Sequence, residues 1–523
     1  MNTLSSQQPI ASAYFVIFGR YGAVTHHAQA RGVSRQWIYR EAQALQQALR
    51  DQQQQIHDLQ AQLSQAQQQL AEQEQRLAVA VVLDNDKQAE LASFGQARGV
   101  SLPDCWALID VLIPGKGLSV ATLGRRAQEA GKQAGSLLKV FDAFTYERVR
   151  DAAGDEIYLS DPVRMVVEQE SLCWVSGRLT ASVDGQGWYE EFKQLPKLEQ
   201  VARDGGTALK KGVALVNEER VQQSQPLVVD QGDHFHALRA GGTGLRKAEQ
   251  QARKTFAVAE QAQKEWQECH QRGEKEGWQS ACQRARRAWE KAEKAMDAWI
   301  ALERSWDQTK AALKLITPAG ALNTRAQAEQ VLAETLPELP DKDFAKVKGA
   351  LQKPEMLNYL DQVQRKLAEL PFAAEVKQAA VRQECLRRSP ELLKGEGPSP
   401  AALRGVMLAC LVVLSKAEEG VGSRAVAAVR EIFQRAHRAS SLVECINSVL
   451  RMQQARHRKM TQGMLDLKRL YWNSHTFRTG RRRQTSPYER LGVPWPEGMR
   501  WWDVLKLTPE QLGDKLSTAK KAA

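Results

Sequence analysis

Asp155 stands in Gly154-Asp155-Glu156-Ile157-Tyr158-Leu159, at the start of a predicted strand, and Asp204 closes another in Ala202-Arg203-Asp204-Gly205-Gly206. Carboxylates are the ligands that hard divalent cations take, and two such cations about 4 Å apart serve phosphoryl transfer that proceeds without a covalent enzyme intermediate. Asp is common in turns, so either residue alone carries little; in a sheet whose first and fourth strands are neighbours the two would meet. A third ligand must come from elsewhere. Glu444 lies in Ser441-Leu442-Val443-Glu444-Cys445-Ile446-Asn447-Ser448-Val449-Leu450-Arg451, where Leu442, Val443, Ile446, Val449 and Leu450 form an apolar helical face. Periodicity alone places an acid beside such a face in solvent. In Asp233-His234-Phe235-His236, Asp233 and His236 have the types to bind a metal, but a strand-end loop often carries such residues for local hydrogen bonds. Glu168 and Asp230 compete as ligands.

The elements that must position these residues follow from pattern. Glu156–Leu159, Arg164–Glu168 and Leu172–Ala181 read as three strands, followed by a helix over Trp188–Leu195, a strand over Leu198–Arg203, a helix over Thr207–Glu219 and a strand over Pro226–Val229. Three strands, helix, strand, helix, strand is the order of an α/β ribonuclease H-like core with a mixed five-stranded sheet. Nearly 200 residues of helical pattern follow. Trp266, Trp278, Trp289, Trp299 and Trp306 recur about every ten or eleven residues, which suits long helices packed on each other, and a Gly/Pro break at 395–400 closes the block. We read it as a large all-α insertion.

Ahead of this core, residues 10–45 resemble a helix-turn-helix, with Gly32 supplying a left-handed turn, Ser34 capping the next helix, and Arg35, Gln36 and Arg40 offered to bases and phosphates. From 41 to 78 Leu45, Leu49, Ile56, Leu59, Leu63, Ala66, Leu70 and Leu77 occupy one heptad register, broken at d by Gln52 and Gln73, which predicts a dimeric coiled coil. Residues 100–144 are helical, with a weaker second helix-turn-helix signal at 117–140. The expected domains are 1–45, 46–84, 85–149 (DNA-binding or connecting), 150–239 (core, first part), 240–400 (insertion), 401–475 (core helices with Glu444) and 476–523 (basic, aromatic tail).

The net charge of +12 is spread over 523 residues, but twelve Lys and Arg face two acids between Arg435 and Arg483. Arg451, Arg456, Arg458, Lys459, Lys468, Arg469, Arg481, Arg482 and Arg483 are the expected phosphate contacts there. The seven cysteines form no CxxC pair, so neither a zinc ribbon nor a disulfide framework is indicated. The most apolar run, Val406–Leu414, is shorter than a membrane span, and a cytoplasmic, nucleoid-associated protein is expected. Gly241–Lys247 lacks P-loop spacing, and there is no GxSxG or HExxH.

Glu444-Cys445-Ile446-Asn447-Ser448, Arg456-His457-Arg458 and Ser486-Pro487-Tyr488 resemble the C-terminal block of bacterial insertion-sequence transposases of the DDE class. Asp155-Glu156-Ile157 and Asp204-Gly205-Gly206 resemble the first and second acidic motifs of that family, and Asp233 with His236 matches its Asp-to-His spacing, which implies a supporting role for that pair near the site. The resemblance covers roughly residues 150–240 and 400–492. It implies that Asp155, Asp204 and Glu444 are catalytic and hold two Mg²⁺ or Mn²⁺ ions, and that a homodimer cleaves double-stranded DNA at element ends and joins it to target DNA. The alternative is a dimeric regulatory or architectural DNA-binding protein with a degenerate core.

Overall fold

The computed structural model describes residues 7–79, 82–159, 161–273, 275–395, 397–454 and 459–522, in two compact units, Met1–Asp84 and Asn85–Ala523. In the first unit α1 (Gln7–Phe18) and α2 (Ala23–Arg31) pack on the start of α3 (Arg35–Val79). The expected turn forms: Gly32 sits at φ 66°, and Ser34 Oγ accepts the Trp37 amide at 3.2 Å. Glu41 ties the three helices together, accepting from Ser12 of α1 at 2.6 Å and from Arg31 of α2 at 2.5 Å; the Arg31 guanidinium holds its carboxyl below the usual range.

No boundary falls at residue 45, because α3 is one helix of 45 residues. One heptad stripe runs along it. Ile38 and Ala42 are buried where α1 and α2 pack, and Leu49, Ile56, Leu59, Leu63, Leu70 and Leu77 continue the stripe with more than half of each side chain exposed.

The second unit opens with α4 (Asn85–Arg98), α5 (Leu102–Leu112) and α6 (Val120–Tyr146). Gly117-Leu118-Ser119 lies in the turn between α5 and α6, with Ser119 capping α6, but α6 passes through Gly131 without a break, so residues 131–140 are not a separate helix. Next come β1 (Asp151–Tyr158), β2 (Pro162–Glu168), β3 (Trp174–Leu179), α7 (Gly185–Lys193), β4 (Gln200–Arg203), α8 (Thr207–Gln222) and β5 (Val229–Gly232). They build one mixed sheet in the order β3-β2-β1-β4-β5, with β1, β4 and β5 parallel and β2 antiparallel to both its neighbours.

β1 begins at Asp151, five residues earlier than its apolar pattern suggests. Ala152, Ala153 and Gly154 have little strand propensity, but both faces of β1 are covered and small side chains let the helices close in. A Cβ on Gly154 would lie 3.0 Å from Leu209 of α8. Asp155 therefore stands inside β1 rather than at its start. β5 likewise sits three residues later than expected, which puts Asp230 within it.

α9 (His234–Gln271) and α10 (Lys275–Ala312) form a long antiparallel hairpin. α11 (Arg325–Thr335), α12 (Asp341–Leu351), α13 (Asn358–Ala368), α14 (Ala374–Arg387), α15 (Pro398–Lys416) and α16 (Val421–Gln434) complete an all-helical body. Leu370-Pro371 separates α13 from α14, since Pro cannot donate to a helix interior. Trp306 is buried against Phe344 and packs so closely on Gly241 that a Cβ there would overlap its ring; Trp289 meets Phe256 edge-on. Val429 and Phe433 of α16 belong to the same core, so the insertion extends from His234 to the end of α16 rather than over 240–400. α15 is by length and composition long and apolar enough to cross a membrane, which the shorter run read from sequence did not suggest; it packs on α14 and α16 and leaves Leu408 exposed.

α17 (Ser441–Gln454) returns to the sheet, placing Val443, Ile446 and Leu450 against Ala153 and Ile157. α18 (Gln462–Ser474) crosses α6 at Gly131, where a Cβ would come within 2.6 Å of Gly463 O. α19 (Pro487–Leu491), α20 (Trp501–Leu505) and α21 (Pro509–Ala522) follow. Tyr488 and Trp495 stack on Phe141 of α6, and Trp502 joins that core. Residues 85–149 and the C-terminal segment are thus parts of one packed body with the sheet, not separate domains.

Candidate catalytic site between the sheet and α17

Alternation along β1 sends Ala152 and Gly154 toward α7 and α8, and Ala153, Asp155 and Ile157 toward α17. The parallel register pairs Gly154 with Arg203, so Asp155 and Asp204 are the next step on adjacent strands. From the helix, Asn447 is fully buried and donates to Asp155 Oδ2 at 2.6 Å, while Asp155 Oδ1 accepts the Glu156 amide at 2.8 Å. Glu444 lies three residues before Asn447 and shares its face of α17.

Burial pushes the Asp155 carboxyl up to about 7, and the negative charges of Asp204 and Glu444 act in the same direction; the Glu156 amide and His236 oppose them. Asp204 Oδ1 accepts the Gly206 amide at 2.9 Å. The Glu444 side chain, 20 % exposed, is not lost to solvent: Arg451 donates to it at 3.0 Å, and His236 Nε2 lies 3.6 Å from it. His236 is in turn fixed through Nδ1 by Asp233, whose carboxylate also accepts from the backbone and hydroxyl of Ser440. That bond to Asp233 raises the imidazole above its ordinary range. Burial pushes Asp233 upward, but the bonds from His236, Phe235 and Ser440 outweigh it and leave the carboxyl low.

Asp233 and His236 therefore sit beside Glu444, where sequence placed them. Glu168 and Asp230 do not join them. Glu168 caps its own turn through Ser171 and the amide of Glu170, and Asp230 is held by Arg203 at 2.6 Å. Asn447 was visible only as part of a motif; its spacing of three from Glu444 was the available signal. The three acids expected as ligands, Asp155, Asp204 and Glu444, offer only hard oxygen, the donor type that Mg²⁺ and Mn²⁺ take. Among the described residues, however, no three Asp, Glu, His or Cys side chains stand close enough together to hold one ion as they are.

Of the expected DNA-contacting residues, Arg35, Gln36 and Arg40 are exposed on α3, and Lys459, Arg481 and Arg483 are exposed in turns and bends of the second unit. Arg451 is exposed but engaged with Glu444, and Arg482 donates to the carbonyls of Gln169 and Glu170 in the β2–β3 turn. Arg456 and Arg458 lie outside the described residues. Lys468 and Arg469 are corrected: both are buried. Lys468 donates to Gln96 O and Gln453, and Arg469 is paired with Asp142 and bonded to Trp174 O. α18 packs between α6 and β3, so these cations serve the interior. No protein-family model, curated protein or solved structure matches this chain.

Proposed function

We propose that the chain is a DNA transposase of the DDE class with a ribonuclease H-like core. The observation that carries the reading is that Asp204, from the end of β4, and Glu444, from the helix that returns to the sheet, lie near enough to Asp155 of β1 for their charges to act on its carboxyl. Asp155, Asp204 and Glu444 would hold a pair of divalent cations, which when bound supply Lewis-acid activation of the attacking oxygen and charge for the leaving one. Asn447 fixes the direction of the Asp155 carboxylate. His236, oriented by Asp233, holds a proton beside Glu444. The exposed face of Arg35, Gln36 and Arg40 serves recognition of element ends, and the uncovered stripe of α3 pairs two copies, as an element with two ends needs. In this reading the protein acts on the nucleoid in the cytoplasm.

A second reading, a DNA-binding dimer without chemistry, draws on two observations: Glu444 is engaged with Arg451, and among the described residues no three ligands stand close enough to hold one ion. Nicking of supercoiled plasmid by the full chain in MgCl₂ or MnCl₂ separates the two. In the enzyme, Asp155→Asn, Asp204→Asn and Glu444→Gln each lower nicking by about 100-fold or more while DNA binding persists. Binding without metal-dependent nicking by the wild-type chain favours the second reading.

A further inference from the structure

The α9–α10 hairpin carries a groove of about 380 Å³ whose cations are Lys254 from α9 and Arg284, Arg287 and Lys291 from α10. Among the described residues no carboxylate lines it, and its lining includes the small side chains of Thr255 and Ala288. Arg284, Arg287 and Lys291 recur at i, i+3 and i+7, one face of a helix and about 10 Å of its length. The acids of the same stretch, Glu290, Glu293 and Asp297, keep to a second face, and the buried alanines 281, 285 and 292 to a third. Among the described residues none of the four cations has an ion-pair partner; Arg284 donates only to Ser280 Oγ at 2.8 Å. Their neighbours differ. Arg253 is paired with Glu249 at 2.8 Å and Arg286 with Glu290 at 3.4 Å.

Like charges gathered in a groove without counter-charges repel one another, and a polyanion relieves that repulsion. The geometry points to a binding site for the phosphate backbone of duplex DNA on the insertion, separate from α3 and from the carboxylates. A stripe of this length spans about three successive phosphates of one strand. The inference rests on the proposed action on DNA and adds to it a role for the insertion: the hairpin holds DNA by its backbone, without reading sequence.

The test is fluorescence anisotropy of a random-sequence duplex against the full chain across a KCl series, with Lys254→Gln/Arg287→Gln/Lys291→Gln compared with Arg253→Gln/Arg286→Gln. All five positions are exposed, so both variants should melt with the wild type. The expected result is that the triple variant lowers the slope of log affinity against log salt by about 2 to 3, near 0.9 for each phosphate no longer neutralised, while the paired-cation variant leaves it unchanged. An unchanged slope in the triple variant, with the wild type binding duplex, overturns the groove and leaves the transposase reading standing. A wild-type chain that binds no duplex at all overturns that reading and the groove with it.

Discussion

Asp155 gives the site a pH signature that can be read without knowing the DNA substrate. Its carboxyl titrates at about 7 in the folded chain against an ordinary value near 3.8. The folded state thus keeps a proton that the unfolded state has lost, so stability falls as pH rises from about 4 to 7 and is level above. The whole effect is at most about 4 kcal/mol. Asp155→Asn removes it: the variant should melt above the wild type at pH 8 without divalent ions, and the gap should close by pH 4. Added Mg²⁺ should raise the melting temperature of the wild type at pH 8 and not that of the variant. Thermal melts across pH check both, and a wild type whose stability is flat from pH 4 to 8 would remove the electrostatic basis for the site. Asp204 was legible as an acid at a strand end, and Asp155 as an acid on a strand whose true start, four residues earlier, was not legible. The burial of Lys468 and Arg469 was not, because a run of cations reads as a solvated surface until the helix beneath it is seen to cross the core.

At the scale of elements, the α3 stripe was legible because heptads announce themselves, whereas β1 was legible only in its second half because Ala-Ala-Gly carries no strand signal. Packing from both sides, not propensity, makes that strand. Gln52 and Gln73 say more about the α3 pairing than the leucines do. In a parallel, in-register pair each amide meets its own copy at a d position and the two can bond to each other. In an antiparallel pair Gln52 faces Leu70, and its amide loses water without gaining a partner. Parallel pairing is therefore expected: Gln52→Cys should form a disulfide with the same residue of the second copy on mild oxidation, identified by mass spectrometry. Leu63→Glu should yield monomers by light scattering, and a Leu63→Glu variant that stays dimeric would place the dimer contact elsewhere.

For the whole molecule, the division at Asp84 separates the helix proposed to pair two copies from the sheet-centred body. A chain beginning at Asn85 should keep the main calorimetric transition of the full protein and lose self-association; loss of that transition would mean that the first unit is needed for folding. The extent of the insertion escaped the sequence because the Gly/Pro break near 395 falls inside the helical body, between Pro390–Leu393 and α15, and does not mark its edge. The absence of any joint in α3 has a geometric consequence. Arg35, Gln36 and Arg40 and the apolar stripe from Leu45 to Leu77 are set on one helix, so in the proposed pair the direction in which each copy presents those cations is fixed by residue count. One residue inserted between Arg40 and Leu45 would rotate the cations by about 100° around the helix, whereas seven would restore them to within about 20° and only lengthen the span. Spacing along α3 is thus a matter of angle as much as of reach.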